Sequence, residues 1–178
     1  MAARLQRRIR RTRRGDYRLR LPAHERALLR SLPGQLRAVL GTDDPALERL
    51  FPCAYPGDPA REAEFRDLVR GDLLDRRLSA IEVMERTLDA DRLDEDELQA
   101  WVATINDLRL VLGTRLGVTE DLDLEAVPDD DPRAPAFALY AYLTWLEEQA
   151  VEELAAGLPP SPAGDQRGPG GGPGPPPA

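Results

Sequence analysis

The chain has 178 residues, 42% of them hydrophobic and 31% charged, a make-up that excludes a membrane bundle or a wholly low-complexity chain and suits one globular domain. Net charge is -8, and all 24 basic residues are arginine. The single cysteine, Cys53, excludes an intramolecular disulfide and a cysteine-based metal cluster.

The charge is unevenly placed. Residues 1–21 hold nine arginines against one acid, Asp16, for a net +8, while the remainder holds fifteen arginines against thirty-one acids. Such asymmetry points either to an anionic partner for the N-terminus or to a basic hairpin paired with an acidic body. In "LQRRIRRTRRGDYRLRL", Leu5, Ile9, Tyr17, Leu19 and Leu21 alternate with arginines around a Gly-Asp turn. This predicts a two-stranded hairpin over about 5–21, with strands near 6–12 and 16–21. An arginine-salted strand face protects an exposed edge, and it also suits phosphate contacts.

Pro22 fits the start of a helix. Ala27, Leu28, Leu32, Leu36, Val39 and Leu40 follow helical spacing, with Pro33-Gly34 expected to kink or split the run. Asp43-Asp44-Pro45 starts a short helix over 45–50, and "FPCAYPGDP" is a loop. Between Pro59 and Asp89 the apolar phase changes. Phe65, Leu68 and Val69 share one stripe, Leu74, Leu78, Ile81 and Leu88 another, and Gly71 at the change predicts a bend or break.

A further helix starts near Leu93, capped by Asp94 or Asp96, and runs to Leu116, where Gly117 stops it. "TEDLDLEAVPDDDPR" is an acidic connector without the glycine and terminal glutamate of a calcium loop. The last helix spans Ala134 to Ala156. Its greasiest stretch, "APAFALYAYLTWL", is too short to cross a bilayer, and no signal-peptide run opens the chain, so a cytoplasmic protein is expected. Residues 158–178, rich in proline and glycine, read as a disordered tail behind a single domain over 1–157. The expected fold is mainly α: a compact bundle of five or six helices with an N-terminal two-stranded β-hairpin.

Two charges break the helical pattern. Arg109 projects beside the apolar arc of Trp101, Ile105, Leu108 and Leu112, with Asn106 and Gly113 on its side and Asp107 pointing outward. Glu85 falls inside the stripe of Leu74, Leu78, Ile81 and Leu88. A buried unpaired charge costs several kcal/mol, so each needs a partner. The economical reading is a structural polar cluster of Glu85, Asn106, Arg109 and Arg115, with Arg109 paired to Glu85. The alternative is an anion or small-ligand pocket at Arg109 and Arg115.

The motif Trp101, Asn106, Asp107, Arg109, Gly113, Arg115, with the arginine-rich hairpin before it and "YAYLTWLEEQAVEEL" after it, resembles an actinobacterial domain family of unknown function. That family includes the oxidative-stress-resistance regulator AosR, and the resemblance covers most of residues 5–156. It implies a small helical cytoplasmic protein, often encoded beside a Clp protease adaptor, with a proposed role in stress-linked transcription control. The partners it implies are proteins: a regulator, a sigma factor or proteolysis machinery. A thiol switch within one chain needs two cysteines, so redox sensing through Cys53 would require a sulfenic acid, a mixed disulfide or an intermolecular bridge.

The last helix carries a second stripe, Phe137, Ala141 and Trp145, which suggests a partner surface or a homodimer unless the hairpin covers it. His24 has no serine or cysteine motif around it. The sequence contains no phosphate-binding glycine loop, metal-spaced set or nucleophile elbow, so neither cofactor, metal nor catalytic residue is assigned. The leading expectation is a non-enzymatic regulator working through protein contacts. A DNA-contacting regulator using the hairpin comes second, and an enzyme using Asn106, Arg109 and Arg115 third.

Overall fold

The computed structural model describes residues 6–119, 122, 127–128 and 130–157. Most of the acidic connector and the whole expected tail over 158–178 lie outside the described residues. Two strands, β1 (Ile9–Arg11) and β2 (Tyr17–Leu19), precede helix α1 (Ala23–Leu40) and a 3-10 turn at Pro45–Leu47. Then follow α2 (Pro59–Thr87), strand β3 (Arg92–Leu93), α3 (Glu95–Leu116) and α4 (Ala134–Ala155). The mainly α class is the expected one.

The hairpin turns at Gly15, whose φ of 91° lies in the left-handed region. Asp16 O accepts from Thr12 N at 2.7 Å to close the turn. Ile9 pairs with Leu19, and Arg11 with Tyr17. The sheet has a third strand that the sequence did not announce, since β3 pairs antiparallel with β2, Tyr17 opposite Leu93. Two residues are too few to display alternation.

Helix α1 runs unbroken through Pro33, which is buried within it. Helix α2 is likewise continuous through Gly71, so the expected break is corrected. The change of apolar phase has another cause. Ile81, Met84 and Leu88 of the second half are buried in the core, whereas Phe65 and Leu68 of the first half are exposed. The two halves serve different surfaces. At its start Asp58 caps the helix by accepting from Arg61 N at 3.1 Å, with Pro59 at the first position.

Helix α3 is the central beam. A reciprocal capping box starts it: Glu97 N donates to Asp94 at 2.8 Å and Asp94 N donates to Glu97 at 3.0 Å. Gly117, φ 68°, ends it in the left-handed conformation. α2 and α4 both pack on it, and so do the 3-10 turn and α1. Trp101, Leu98 and Ile105 from α3 meet Ile9 and Tyr17 of the sheet, Leu29 and Leu36 of α1, Ile81 and Met84 of α2, and Leu143 and Leu146 of α4 in one core. Each such side chain contributes about 1.5–3 kcal/mol of transfer free energy on burial.

Among the described residues no helix is long and apolar enough to cross a membrane. None of them forms a group of three or more His, Cys, Asp or Glu that could hold a metal ion.

Candidate functional site

The structure separates the expected polar cluster. Arg109 reaches across to α4, where its Nε donates to Thr144 Oγ1 at 2.9 Å and its Nη1 donates to Glu147. Its guanidinium also lies 5.6 Å from the centre of the Tyr140 ring. Its carboxylate is therefore Glu147, not Glu85. Glu85 lies at the edge of the α1–α2 contact and accepts from Arg37 at 2.7 Å. Arg115 pairs with Asp44 at 2.7 Å beside the 3-10 turn, and Asn106 is half-buried. The guanidinium at 109 ties two helices together rather than lining an open anion pocket.

Asp107 corrects the reading of α3 further. Expected on the outer face, it is only 3% exposed and accepts from Arg77 of α2, which also donates to Leu50 O at 3.0 Å. Burial pushes the Asp107 carboxyl above its ordinary range against the pull of Arg77. A helix wheel with one greasy arc assumes one packed face. Helix α3 is packed from two sides, so charges beside the arc are enclosed too.

A second buried anion, unforeseen in the sequence, joins hairpin, α1 and α4. Glu25 accepts from Arg8 Nη2 at 2.6 Å and Nε at 2.8 Å, and from the Tyr142 hydroxyl at 3.0 Å. Burial opposes its charge, but those hydrogen bonds and the Arg8 cation hold the carboxyl below its ordinary range. Burial raises the Tyr142 hydroxyl, which keeps it a donor. The only signal in the sequence was an acid in the first turn of α1. His24, the one histidine, stands beside Glu25 at 3.8 Å.

The stripe expected as a partner surface is partly covered within the chain. Phe137 is 5% exposed, Trp145 lies under the hairpin with the Arg8 guanidinium 5.7 Å from its ring centre, and of the three only Ala141 is exposed. At Trp145 the cover comes from the hairpin.

What remains open lies at the other end. The first half of α2, the loop over 51–58 and the 3-10 turn enclose a cleft of about 640 Å3. Phe51, Phe65, Val69 and Leu73 form its apolar lining. Arg66 and Arg70 come from α2, and Asp43, Asp44 and Glu48 from the opposite side. Arg70 approaches Asp43 at 3.5 Å and lies 5.4 Å from the Phe51 ring centre. Tyr55 meets Phe65 edge-on at 5.8 Å. Outside the lining, Leu68 of the same half of α2 is 78% exposed.

Cys53 is exposed at this cleft. Beside it Glu62 accepts from Tyr55 N and Ala54 N, both at 2.9 Å. The backbone hydrogen bond from Tyr55 is the main cause that sets the Glu62 carboxyl below its usual range. Glu62 thus fixes the loop on the helix and shapes the cleft. No histidine stands by the thiol. The arrangement suits an apolar segment with charges at its margins better than a nucleophilic reaction.

A family model described as "Domain of unknown function (DUF2017)" matches residues 6–154. The chain is similar to the putative oxidative stress regulator AosR of Mycobacterium leprae (strain TN), with 34% identity over 131 residues, 64% of this chain and 60% of the relative. It is also similar to the oxidative stress regulators AosR of Mycobacterium bovis and Mycobacterium tuberculosis, each 29% identical over 176 residues, covering 76% of this chain and 80% of the relative. The chain spans about 60% of the length of the Mycobacterium leprae relative. No solved structure matches it.

Proposed function

The chain belongs to the DUF2017 family, and from that premise we propose that it is a non-enzymatic regulatory protein of the oxidative stress response, acting in the cytoplasm through protein contacts. The names of the mycobacterial relatives support the regulatory part. The observation that carries the protein-contact part is the cleft beside the free half of α2, where Phe65 and Leu68 stand exposed on a well-capped helix. Ordering apolar side chains on a rigid helix before binding reduces the entropy lost on association. The charged margins would select among partners.

The test is complementation of a deletion strain of the native host under peroxide, with a photo-crosslinking residue placed at position 68 or, as control, at position 30 of α1. Wild type is expected to restore survival, and Leu68→Glu is expected to fail while its thermal unfolding is unchanged. A protein adduct is expected from position 68 and not from position 30. Full protection by Leu68→Glu, with no adduct at 68, rejects the reading. Cys53→Ser is expected to protect as wild type does; a selective loss would shift the regulatory event onto the thiol.

A further inference from the structure

We propose that the outer face of the three-stranded sheet is a contact surface for the phosphate backbone of duplex DNA. This goes beyond the regulatory reading and does not rest on it. The inner residues Ile9, Tyr17, Leu19 and Leu93 are buried in the core, so strand alternation turns the arginines outward. Arg10 stands opposite Arg18, and Arg18 opposite Arg92, giving a row of three cations across three strands. Arg20 continues the outward side of β2, and its backbone N–H bonds Arg8 O at 2.7 Å. With Arg13 and Arg14 of the turn, these side chains surround a shallow concavity of about 500 Å3.

Like charges directly opposite on a ladder destabilise it. The protein has acids to spare, and it uses them elsewhere: Arg8, Arg37, Arg77, Arg109 and Arg115 all hold carboxylates. Among the described residues only Arg92 of the sheet face does, pairing with Asp16 at 2.7 Å. Among the described residues Arg10, Arg13, Arg14, Arg18 and Arg20 have no acid in salt-bridge range. An array of neighbouring unpaired guanidiniums in an acidic protein calls for an outside anion of matching charge density.

The chemistry of the face selects that anion. Tyr17, the one aromatic residue of the hairpin, is buried, so no ring is available for base stacking, and single strands are poorly served. No large apolar side chain stands on the face to anchor a protein interface. What remains is guanidinium, whose forked donors suit phosphate oxygens. A strand of three residues is about 10 Å long, comparable to the ~12 Å major groove of B-DNA, whereas the major groove of A-form RNA is too narrow to enter. The contact positions without reading sequence.

The test uses the full chain, a fluorescent 20-base-pair duplex of arbitrary sequence and a salt series from about 50 to 200 mM. Binding is expected to weaken steeply with salt. Arg18→Gln/Arg20→Gln is expected to lower affinity at least tenfold and to flatten the log–log salt slope by roughly 1.8, about 0.9 for each lost phosphate contact. Arg30→Gln, which removes a paired arginine of α1, should leave binding unchanged. The thermal midpoint of the double variant should hold or rise, because like-charge repulsion is relieved; this separates lost binding from lost fold. No binding at the lowest salt, binding indifferent to the double variant, or equal or tighter binding of a single strand, duplex RNA or polyglutamate would overturn the proposal.

Discussion

Trp101 donates its indole N–H to Thr87 Oγ1 at 2.8 Å, and both side chains are buried where α2 meets α3. Thr87 Oγ1 in turn donates to Val83 O at 2.7 Å, so the indole is held through the last turn of α2. Thr87→Val keeps the shape and leaves the indole donor without a partner. It is expected to cost about 1–3 kcal/mol, read from the midpoint of urea unfolding at unchanged slope.

Arg109 and Glu147 are expected to be coupled, and Arg109 and Glu85 are not. In double-mutant cycles built from Arg109→Met, Glu147→Gln and Glu85→Gln, the first pair should give a coupling of about 1–3 kcal/mol, as for a charged hydrogen bond shielded from solvent. The second should fall within about 0.5 kcal/mol of zero. A large coupling to Glu85 would contradict the interhelical link.

Glu25 and Asp107 make opposite contributions to the pH dependence of stability. The carboxyl of Glu25 is lowered on folding, so its stabilisation is complete above the unfolded value near 4.5 and fades as pH falls through the folded value. The carboxyl of Asp107 is raised from 3.8, so the native state holds its proton longer and stability falls as pH rises through that window. The stability of wild type relative to Glu25→Gln should therefore shrink on acidification from pH 7 to 3, and its stability relative to Asp107→Asn should grow. Parallel curves would refute the assignment.

Two helical glycines should respond differently to alanine. A Cβ at Gly71 meets nothing within 4 Å, so Gly71→Ala is expected to stabilise α2 by about 0.5–1 kcal/mol. At Gly113 a Cβ would lie 3.1 Å from Tyr140 Cε2, in a ring already packed against Arg109. Gly113→Ala is expected to destabilise by about 1–2 kcal/mol net, because displacing the ring outweighs the gain in helix propensity. Thermal unfolding of both variants reads the contrast.

Much of the architecture was legible because local chemistry announces it. Gly15 between alternating runs marks the hairpin, Asp94 with Glu97 marks the start of α3, and Gly117 marks its end. At Pro33 and Gly71 local propensity allowed a split or break, but both helices continue: Pro33 is buried in the packed face of α1, and a single exposed glycine costs α2 only about 1 kcal/mol. The partner of Arg109 was not legible. A wheel shows that a charge needs an opposite charge, but Glu147 belongs to another helix 38 residues away, and only packing brings it near. The cleft escaped as well. Phe65, Leu68 and Val69 carry the same spacing as a core stripe, and nothing local distinguishes a groove from an interior.

The hairpin of β1 and β2 is moored to α4. Arg8 N donates to Gln149 Oε1 at 2.7 Å, Arg11 N to Glu153 at 2.8 Å, and Arg7 grips Glu152 and Glu153. During synthesis β1 leaves the ribosome well before its mooring on α4, which follows some 140 residues later. Until then β1 lacks the cover that α4 gives it, and the nascent protein displays a strongly cationic ribbon. Docking of β1 on α4 joins segments far apart in sequence, a slow kind of contact that leaves a window in which chaperone capture or degradation would compete.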